Sequence, residues 1–267
     1  MQPEIWQKRL NNTLQVTALL AHEDVPPSLH AAAAYHLRTL HLTKAFRLRL
    51  FWRSVDLHCE DYDFDDMCRK GAALQLIHES TLIIDDILDR GQSRRGQRPV
   101  HIRFGRVIAT SLAGWFSARA LRVFSHSPRL VNLVSTLIEN LAKAEASQWQ
   151  YRLFPRPIDI GIWEDIALGD TGALFRFAVS IPGGQPSEEI DRLAMVYHGL
   201  DDIEDRIGMG GLSGGGEADI RDNIPTIWDT NVDPYTYVEN LLQYPYEDFQ
   251  EEACELKYWY RDMKCKV

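Results

Sequence analysis

Two stretches of this chain carry three aspartates in one shared spacing, DDILD at residues 85–89 and DDIED at residues 201–205. If each stretch is helical, its first and fifth residues lie on one face, a turn apart. Like charges at this spacing repel, and a divalent cation removes the repulsion. Carboxylate oxygens suit Mg²⁺, which keeps several waters and takes substrate phosphates as further ligands. All six aspartates, Asp202 included, are predicted catalytic residues, and the predicted metal ligands among them are Asp85, Asp86, Asp89, Asp201 and Asp205.

Each motif follows an apolar stretch, TLII before the first and AMVYHGL before the second. One such motif alone fits a solvated or salt-bridged helix end equally well. Two copies, each ending an apolar helix, favour carboxylates aimed at the mouth of one cavity. Arg94 and Arg95 follow the first motif, and a guanidinium can bind phosphate oxygens through two parallel hydrogen bonds. Metal and arginine around an apolar cavity indicate a site for a lipid diphosphate.

The composition argues against several other classes of protein. Of 267 residues, 45% are hydrophobic and 25% are charged, which is an ordinary globular balance. The formal charge of -9 disfavours non-specific binding to nucleic acid. Four cysteines without CxxC spacing are few for a disulfide scaffold. The sequence has neither an apolar run of about 18 residues nor a basic-then-apolar N-terminus, so we expect no membrane span and a cytoplasmic location.

The elements that position these motifs are predicted to be helices, because apolar residues recur three and four apart and alternating strand patterns are scarce. We expect an all-α bundle of about ten helices around a central cavity. It forms one domain over residues 1–267, with a mobile glycine-rich loop at 208–218. A largely apolar helix over 67–89 lies at the centre. The other predicted helices cover 3–21, 28–42, 44–59, 106–126, 128–152, 162–180, 187–207 and 246–263.

The chain resembles the trans-isoprenyl diphosphate synthases, all-helical enzymes that elongate prenyl chains. DDILDRGQSRRGQRPVH (85–101) matches their first aspartate motif with its downstream RRG, and GLDDIED (199–205) is similar to their second. GDTGALF (169–175) resembles their KTGALF helix. The resemblance implies the isoprenoid synthase fold and head-to-tail condensation of isopentenyl diphosphate with an allylic diphosphate. It also implies about three Mg²⁺ ions per site and a homodimer.

The resemblance further assigns two substrate sites. The residues it implies for isopentenyl diphosphate are Lys44, Arg47, His78 and Arg95. Taken separately, Lys44 and Arg47 also fit a solvated helix face, and His78 also fits a core histidine with a satisfied hydrogen bond.

For the allylic diphosphate, the resemblance implies the aspartates, Arg94 and His198, with Thr171 shielding the allylic cation. Two lysines of the family pattern are replaced here by Asp170 and Ile224. We expect each loss to weaken diphosphate binding or slow ionisation by about 1–3 kcal/mol.

Product length in this family depends on the side chains just before the first motif. Ser80 and Thr81 are both small, and an open shaft beside the helix favours a C20 or longer product. Trp115 and Phe116 on the next predicted helix could close that shaft lower down, or they could be ordinary core residues.

Three other functions stay open from the sequence. A class I terpene cyclase shares the fold and the aspartate chemistry but does not need Lys44, Arg47 or His78. Prenyl transfer to a non-isoprenoid acceptor is a related alternative. A non-catalytic subunit of a heteromeric synthase is a third, disfavoured because both aspartate motifs are retained.

Overall fold

The computed structural model describes residues 2–154, 156–206 and 225–265 of the chain. The predicted glycine-rich loop at 208–218 and Ile224 lie outside the described residues. Within them the regular structure is helical, and the only extended pairing is an isolated bridge between Arg94 and Gln97. The all-α prediction is confirmed.

The helices of the described ranges follow one another without an intervening sheet. A π turn at Leu168–Gly172 joins two of them, and 3-10 turns lie at Leu40–Leu42 and Ile227–Asp229. The α-helices are α1 (Pro3–His22), α2 (Pro27–Leu37), α3 (Phe46–His58), α4 (Phe64–Leu88), α5 (Val100–Phe104), α6 (Arg106–Phe124), α7 (Pro128–Leu153), α8 (Ile160–Ala167), α9 (Ala173–Ser180), α10 (Glu188–Arg206), α11 (Pro234–Leu242) and α12 (Gln250–Lys264).

The predicted long helices agree with the observed ones to within about five residues at either end, and three differences matter. The predicted helix over 162–180 is interrupted, since α8 ends at Ala167 and the GDTG segment forms the π turn. Helix α5 was not predicted, since at five residues it is too short to show a helical period. Helix α11 was not predicted either, although Asp233 caps it by accepting the Thr236 backbone N–H at 2.8 Å.

Helix α4 forms the centre of the bundle and packs most extensively against α6, with α1 and α3 also against it. Its start is fixed by Asp63, whose carboxylate accepts the backbone N–H groups of Asp65 and Asp66 at 2.8 and 3.2 Å. Gly71 allows the neighbouring helices to approach closely, because a Cβ there would meet Thr13 at 3.1 Å and Phe51 at 3.2 Å. The centre of the bundle therefore holds the C-terminal end of α4, and with it the first aspartate motif, in a fixed place.

A hydrophobic core of large side chains surrounds α4. Burying side chains of this size is the main source of stabilisation, about 1.5–3 kcal/mol for each. None of the helices in the described ranges combines the length and apolarity needed to cross a bilayer. The largest fully buried side chains include Trp52, Trp163, Phe51, Phe116 and Phe175.

Candidate active site

The two aspartate motifs line a single cavity of about 370 Å³. Its wall is built from the C-terminal ends of α4, α7 and α10, together with the π turn and the segment that starts at Pro225. Asp85 and Asp89 face it from α4, and Asp201 and Asp205 face it from α10. The structure thus brings together the first and fifth positions of both motifs, as their helical spacing predicts.

Asp86, the second residue of the first motif, does not line the cavity. Its buried carboxylate accepts two hydrogen bonds from Arg94, from Nη2 at 2.7 Å and from Nε at 3.1 Å. The pair holds the loop after α4 against the helix end, and Gly91 fits beside it because a Cβ there would meet Asp86 Oδ1 at 3.0 Å. Asp86 is therefore placed to anchor the loop and to orient Arg94, which itself lines the cavity.

The carboxylates that do face the cavity repel one another. Burial raises the pKa of Asp85 well above its usual range, and the nearby charges of Asp170 and Asp89 raise it further. Burial also raises the pKa of Asp89, although Asp89 forms an ion pair with Arg152. The pKa of Glu145 on α7 is raised by burial, with Asp89 and Asp170 contributing in the same direction. On this side of the cavity, the negative charge of the carboxylates therefore exceeds the positive charge of the groups around them.

The second motif differs from the first, because its second residue, Asp202, also lines the cavity. Asp202 Oδ2 accepts the indole N–H of Trp163 and the backbone N–H of Ile227, both at 2.8 Å. Burial raises the pKa of Asp202, while His198 and these two donors oppose the rise. Asp202 therefore ties α8 and the segment that starts at Pro225 to α10, beside the cavity.

Both motifs occupy the unfavourable end of their helix. Asp89 is the C-cap of α4, and Asp201, Asp202 and Asp205 lie in the last two turns of α10. Carboxylates there face the partial negative charge of the helix C-terminus, which costs stability unless a cation is near.

The donor set fits a divalent cation that is bound only in part by protein. Among the described residues, no three His, Cys, Asp or Glu side chains converge closely enough to hold an ion by themselves. Mg²⁺ is commonly held in this way, by one or two carboxylates with waters and substrate phosphates completing its octahedron. Such an arrangement would relieve the mutual repulsion that raises the pKa of Asp85.

The π turn places two residues of the GDTG segment in the cavity wall, Asp170 and Thr171. Gly169 in that turn lies against α7, since a Cβ there would meet Ala144 Cβ at 2.9 Å. The Thr171 hydroxyl lies 3.1 Å from His198 Nδ1. Extra residues in a helical turn commonly mark functional sites, because they aim side chains that a regular helix would turn away.

Two of the four residues implied for isopentenyl diphosphate line the cavity, Arg47 and His78. Arg47 Nη1 lies 3.2 Å from His78 Nε2. Because a guanidinium can only donate, Nε2 must accept, so His78 is neutral with its proton on Nδ1. This agrees with a pKa of His78 that is lowered well below its usual value by burial and by Arg47.

The other two residues implied for that substrate lie outside the cavity wall. Lys44 is 3.6 Å from Glu204 and stacks over the Trp259 ring at 4.9 Å. Arg95 donates two hydrogen bonds to the fully buried Glu79, at 2.8 and 3.1 Å. Burial alone would raise the pKa of Glu79, yet Arg95 and His36 hold it well below the usual value. Arg95 is thus engaged in a buried ion pair.

Of the four residues proposed to set product length, one lines the cavity and three do not. Thr81 lines the cavity, whereas the Ser80 hydroxyl donates to the Ala113 carbonyl at 2.9 Å and ties α4 to α6. Trp115 donates its indole N–H to the Ala21 carbonyl at 2.9 Å, and Phe116 is fully buried. Trp115 and Phe116 pack in the interior outside this cavity.

Helix α7 contributes polar side chains to the cavity that were not predicted from the sequence. Glu145, Gln148 and Arg152 all line the cavity, and their spacing of three and then four residues places them on one helical face. Arg156, just beyond the helix, joins them. A polar stripe of this kind on an otherwise amphipathic helix is the signal that could have identified them.

A family model described as polyprenyl synthetase matches residues 28–228. The chain belongs to this family. The match covers both aspartate motifs, the GDTG segment and the α7 stripe, so the predicted membership of the isoprenyl diphosphate synthase family is confirmed.

Curated relatives are similar over parts of their length. A short chain isoprenyl diphosphate synthase of Methanocaldococcus jannaschii is 24% identical over 61% of this chain and 54% of its own length. A geranylgeranyl pyrophosphate synthase of Geoglobus acetivorans is 25% identical over 78% of this chain and 69% of its own. Sesterfisherol synthase of Neosartorya fischeri is 27% identical over 49% of this chain and 18% of its own. The chain thus spans about half the length of the first of these relatives.

Solved structures of the same family share the fold. A polyprenyl synthase from Caulobacter crescentus, complexed with calcium and isoprenyl diphosphate, superposes with a TM-score of 0.75 at 17% identity, covering 96% of this chain and 95% of that one. A Helicobacter pylori geranyltransferase, complexed with magnesium and isoprenyl diphosphate, gives 0.72 at 15% identity, covering 100% and 99%. The predicted isoprenoid synthase fold is confirmed.

Proposed function

We propose that this protein is a magnesium-dependent prenyltransferase that condenses isopentenyl diphosphate head to tail with an allylic diphosphate. The product is a longer trans-prenyl diphosphate. The observation that carries the proposal is the convergence of Asp85, Asp89, Asp201 and Asp205 on one cavity that Arg94 also lines. Carboxylates that face one another across a small cavity serve a polyanion only with cations between them.

Asp85 and Asp89 on one wall, and Asp201 and Asp205 on the other, would hold the Mg²⁺ ions. When bound, the ions supply Lewis-acid stabilisation of the negative charge that develops on the departing diphosphate. Arg94, oriented by Asp86, adds a guanidinium to the same diphosphate. The predicted number of three ions stays a prediction.

The protein's own side chains have three further tasks. Arg47 and His78 orient isopentenyl diphosphate so that its alkene faces the allylic carbon. Thr171, fixed by His198, shields the allylic cation that forms when the C–O bond breaks. Leu82 and Leu174 in the cavity wall exclude water, which would otherwise quench the cation. The proton lost after the new C–C bond forms passes to the departed diphosphate.

We further propose a product of C20 or longer, because the small side chain of Thr81 lies in the cavity wall one turn before the first aspartate. One domain over residues 1–267 and a homodimeric assembly are also proposed, the first supported by the continuous core and the second by the family resemblance. The cytoplasmic location stays a prediction.

The decisive assay incubates the protein with Mg²⁺, labelled isopentenyl diphosphate and, in turn, dimethylallyl, geranyl or farnesyl diphosphate. A longer product that becomes extractable after phosphatase treatment supports the proposal, and its length reports the chain length. Arg47→Ala should raise KM for isopentenyl diphosphate by about tenfold or more, with a smaller change in kcat, because it removes a charge-assisted hydrogen bond. An unchanged KM with reduced kcat would contradict the role given to Arg47.

A second candidate function is supported by the engagement of Lys44 and Arg95. Both are paired with carboxylates outside the cavity wall, Lys44 with Glu204 and Arg95 with Glu79. A site for a second diphosphate would then keep only Arg47 and His78. This favours a class I terpene cyclase, which ionises one allylic diphosphate and needs no isopentenyl diphosphate. In the same assay, a hydrocarbon released from the allylic substrate alone supports the cyclase.

A further inference from the structure

Arg152 on α7 is a buried cation with unused hydrogen-bonding capacity. Its side chain is 5% exposed and lines the cavity. One nitrogen, Nη2, pairs with Asp89. The other two, Nε and Nη1, are buried and have no hydrogen-bond partner among the described residues.

An ion pair with Asp89 alone does not account for this geometry. A buried N–H group left without an acceptor destabilises the fold. Glu145, whose charge is felt by Arg152, forms no hydrogen bond with it among the described residues, although Glu145 Oε1 is also without a partner there. A buried guanidinium whose Nε and Nη1 have no partner among the described residues can bind a ligand that offers two oxygens side by side. Phosphate groups offer that arrangement.

The charge of the surrounding wall indicates the same ligand. Asp170 in the π turn and Glu145 on α7 add negative charge beside Asp85 and Asp89. Arg94 is oriented by Asp86, and Arg47 lies against His78. On the α7 side of the cavity, Arg152 is therefore a buried cation that an entering polyanion would meet.

We propose that Arg152 binds the diphosphate of the allylic substrate. With a metal ion bound, Asp89 would hold the ion, and the guanidinium of Arg152 would be available to donate to the phosphate oxygens. In this way α7 supplies positive charge to a wall in which the π turn carries Asp170. The inference rests on the proposed function, since it takes the same diphosphate to enter the same cavity.

The test measures binding by calorimetry, first of Mg²⁺ alone and then of inorganic pyrophosphate in the presence of Mg²⁺. Arg152→Gln is expected to lower the affinity for magnesium pyrophosphate by about tenfold or more, the loss of a charge-assisted pair. The same variant should bind Mg²⁺ alone as tightly as the wild type or more tightly, because Asp89 is released. The affinity of Arg152→Lys for magnesium pyrophosphate should lie between those of the wild type and Arg152→Gln. An ammonium group keeps the charge but lacks the two parallel N–H donors of a guanidinium.

Arg122→Gln, an exposed arginine on α6 outside the cavity wall, is the matched control. A pyrophosphate affinity of Arg152→Gln that equals this control would overturn the proposal and leave Arg152 as a partner of Asp89 only.

A double-mutant cycle keeps the test decisive if Arg152→Gln alone folds poorly, because Asp89→Asn removes the charge left unpaired. In the Asp89→Asn background, a further loss of pyrophosphate affinity on adding Arg152→Gln supports direct binding. No further loss overturns it. Wild-type protein that binds no magnesium pyrophosphate would instead reject the proposed function itself.

Discussion

The C-terminal ends of α4 and α10 carry the same acidic pattern, yet the second aspartate of each pattern has a different partner. Asp86 is neutralised by the guanidinium of Arg94, eight residues further along the chain. Among the described residues, the side chain of Asp202 accepts from neutral donors, the Trp163 indole and the Ile227 backbone N–H. In both motifs the first and fifth residues face the cavity and the second holds the neighbouring structure in place, although Asp202 lines the cavity as well and Asp86 does not. One motif therefore combines a binding face with an anchoring face, and the anchor can be ionic or neutral.

The largest expected effect concerns the cavity-facing positions. Asp85→Ala and Asp201→Ala should each lower kcat by about a thousandfold or more, because each removes a ligand for the Lewis acid. Turnover is measured with labelled isopentenyl diphosphate. Asp61→Ala, an exposed position before α4, is the control. If Asp85→Ala or Asp201→Ala kept its activity, the two aspartate motifs would not bind the same ligand.

Substitution of Asp86, the ionic anchor, should lower the stability more than the corresponding substitution of Asp202, the neutral anchor. Asp86→Asn removes the carboxylate charge that pairs with the buried guanidinium of Arg94, which is 7% exposed. We expect the free energy of unfolding to fall by about 3–5 kcal/mol, the cost of removing one partner from a buried ion pair. Urea unfolding measures this. A loss below about 1 kcal/mol, the value typical of exposed pairs, would show that Arg94 finds another partner.

The neutral anchor should tolerate an isosteric change. Both donors bind the same oxygen of Asp202, Oδ2, so the amide oxygen of Asp202→Asn can accept both. Because burial raises the pKa of Asp202, removing its charge also removes a desolvation cost. We expect Asp202→Asn to change stability by about 1 kcal/mol or less, and Asp202→Ala to lose about 1–3 kcal/mol for each orphaned donor. Equal losses of stability in Asp202→Asn and Asp202→Ala would contradict the conclusion that the anchor at Asp202 needs no charge.

The smallest effect is expected at the fourth position, where the motifs differ in residue type. Leu88 stands there in α4, and Glu204 stands there in α10, 3.6 Å from Lys44. The lysine side chain is 36% exposed, so Lys44→Ala should change the free energy of unfolding by about 1 kcal/mol at most. A larger change in thermal or urea unfolding would mean that Lys44 holds α10 in place.

The sequence was informative where the signal is local. The apolar period predicted α4 closely, since a buried helix must present apolar residues on the faces that its neighbours cover. The π turn at Leu168–Gly172 was not predicted, because the sequence around it keeps a helical period. The pairing of Arg95 with Glu79 was not predicted either, although Glu79 directly follows His78, because a buried carboxylate within an apolar run gives no sign of its partner.

What the sequence determined by itself was the long helices and the face on which each carboxylate lies, because a rise and a period fixed by the backbone relate neighbours along one helix. Only the tertiary structure decided which charge meets which. Arg152 reaches Asp89 across 63 residues of chain, and Lys44 and Arg95 are turned from the cavity by partners on other elements or in the core. Such pairings depend on how the helices pack, and packing is set by the whole core rather than by any one stretch of sequence.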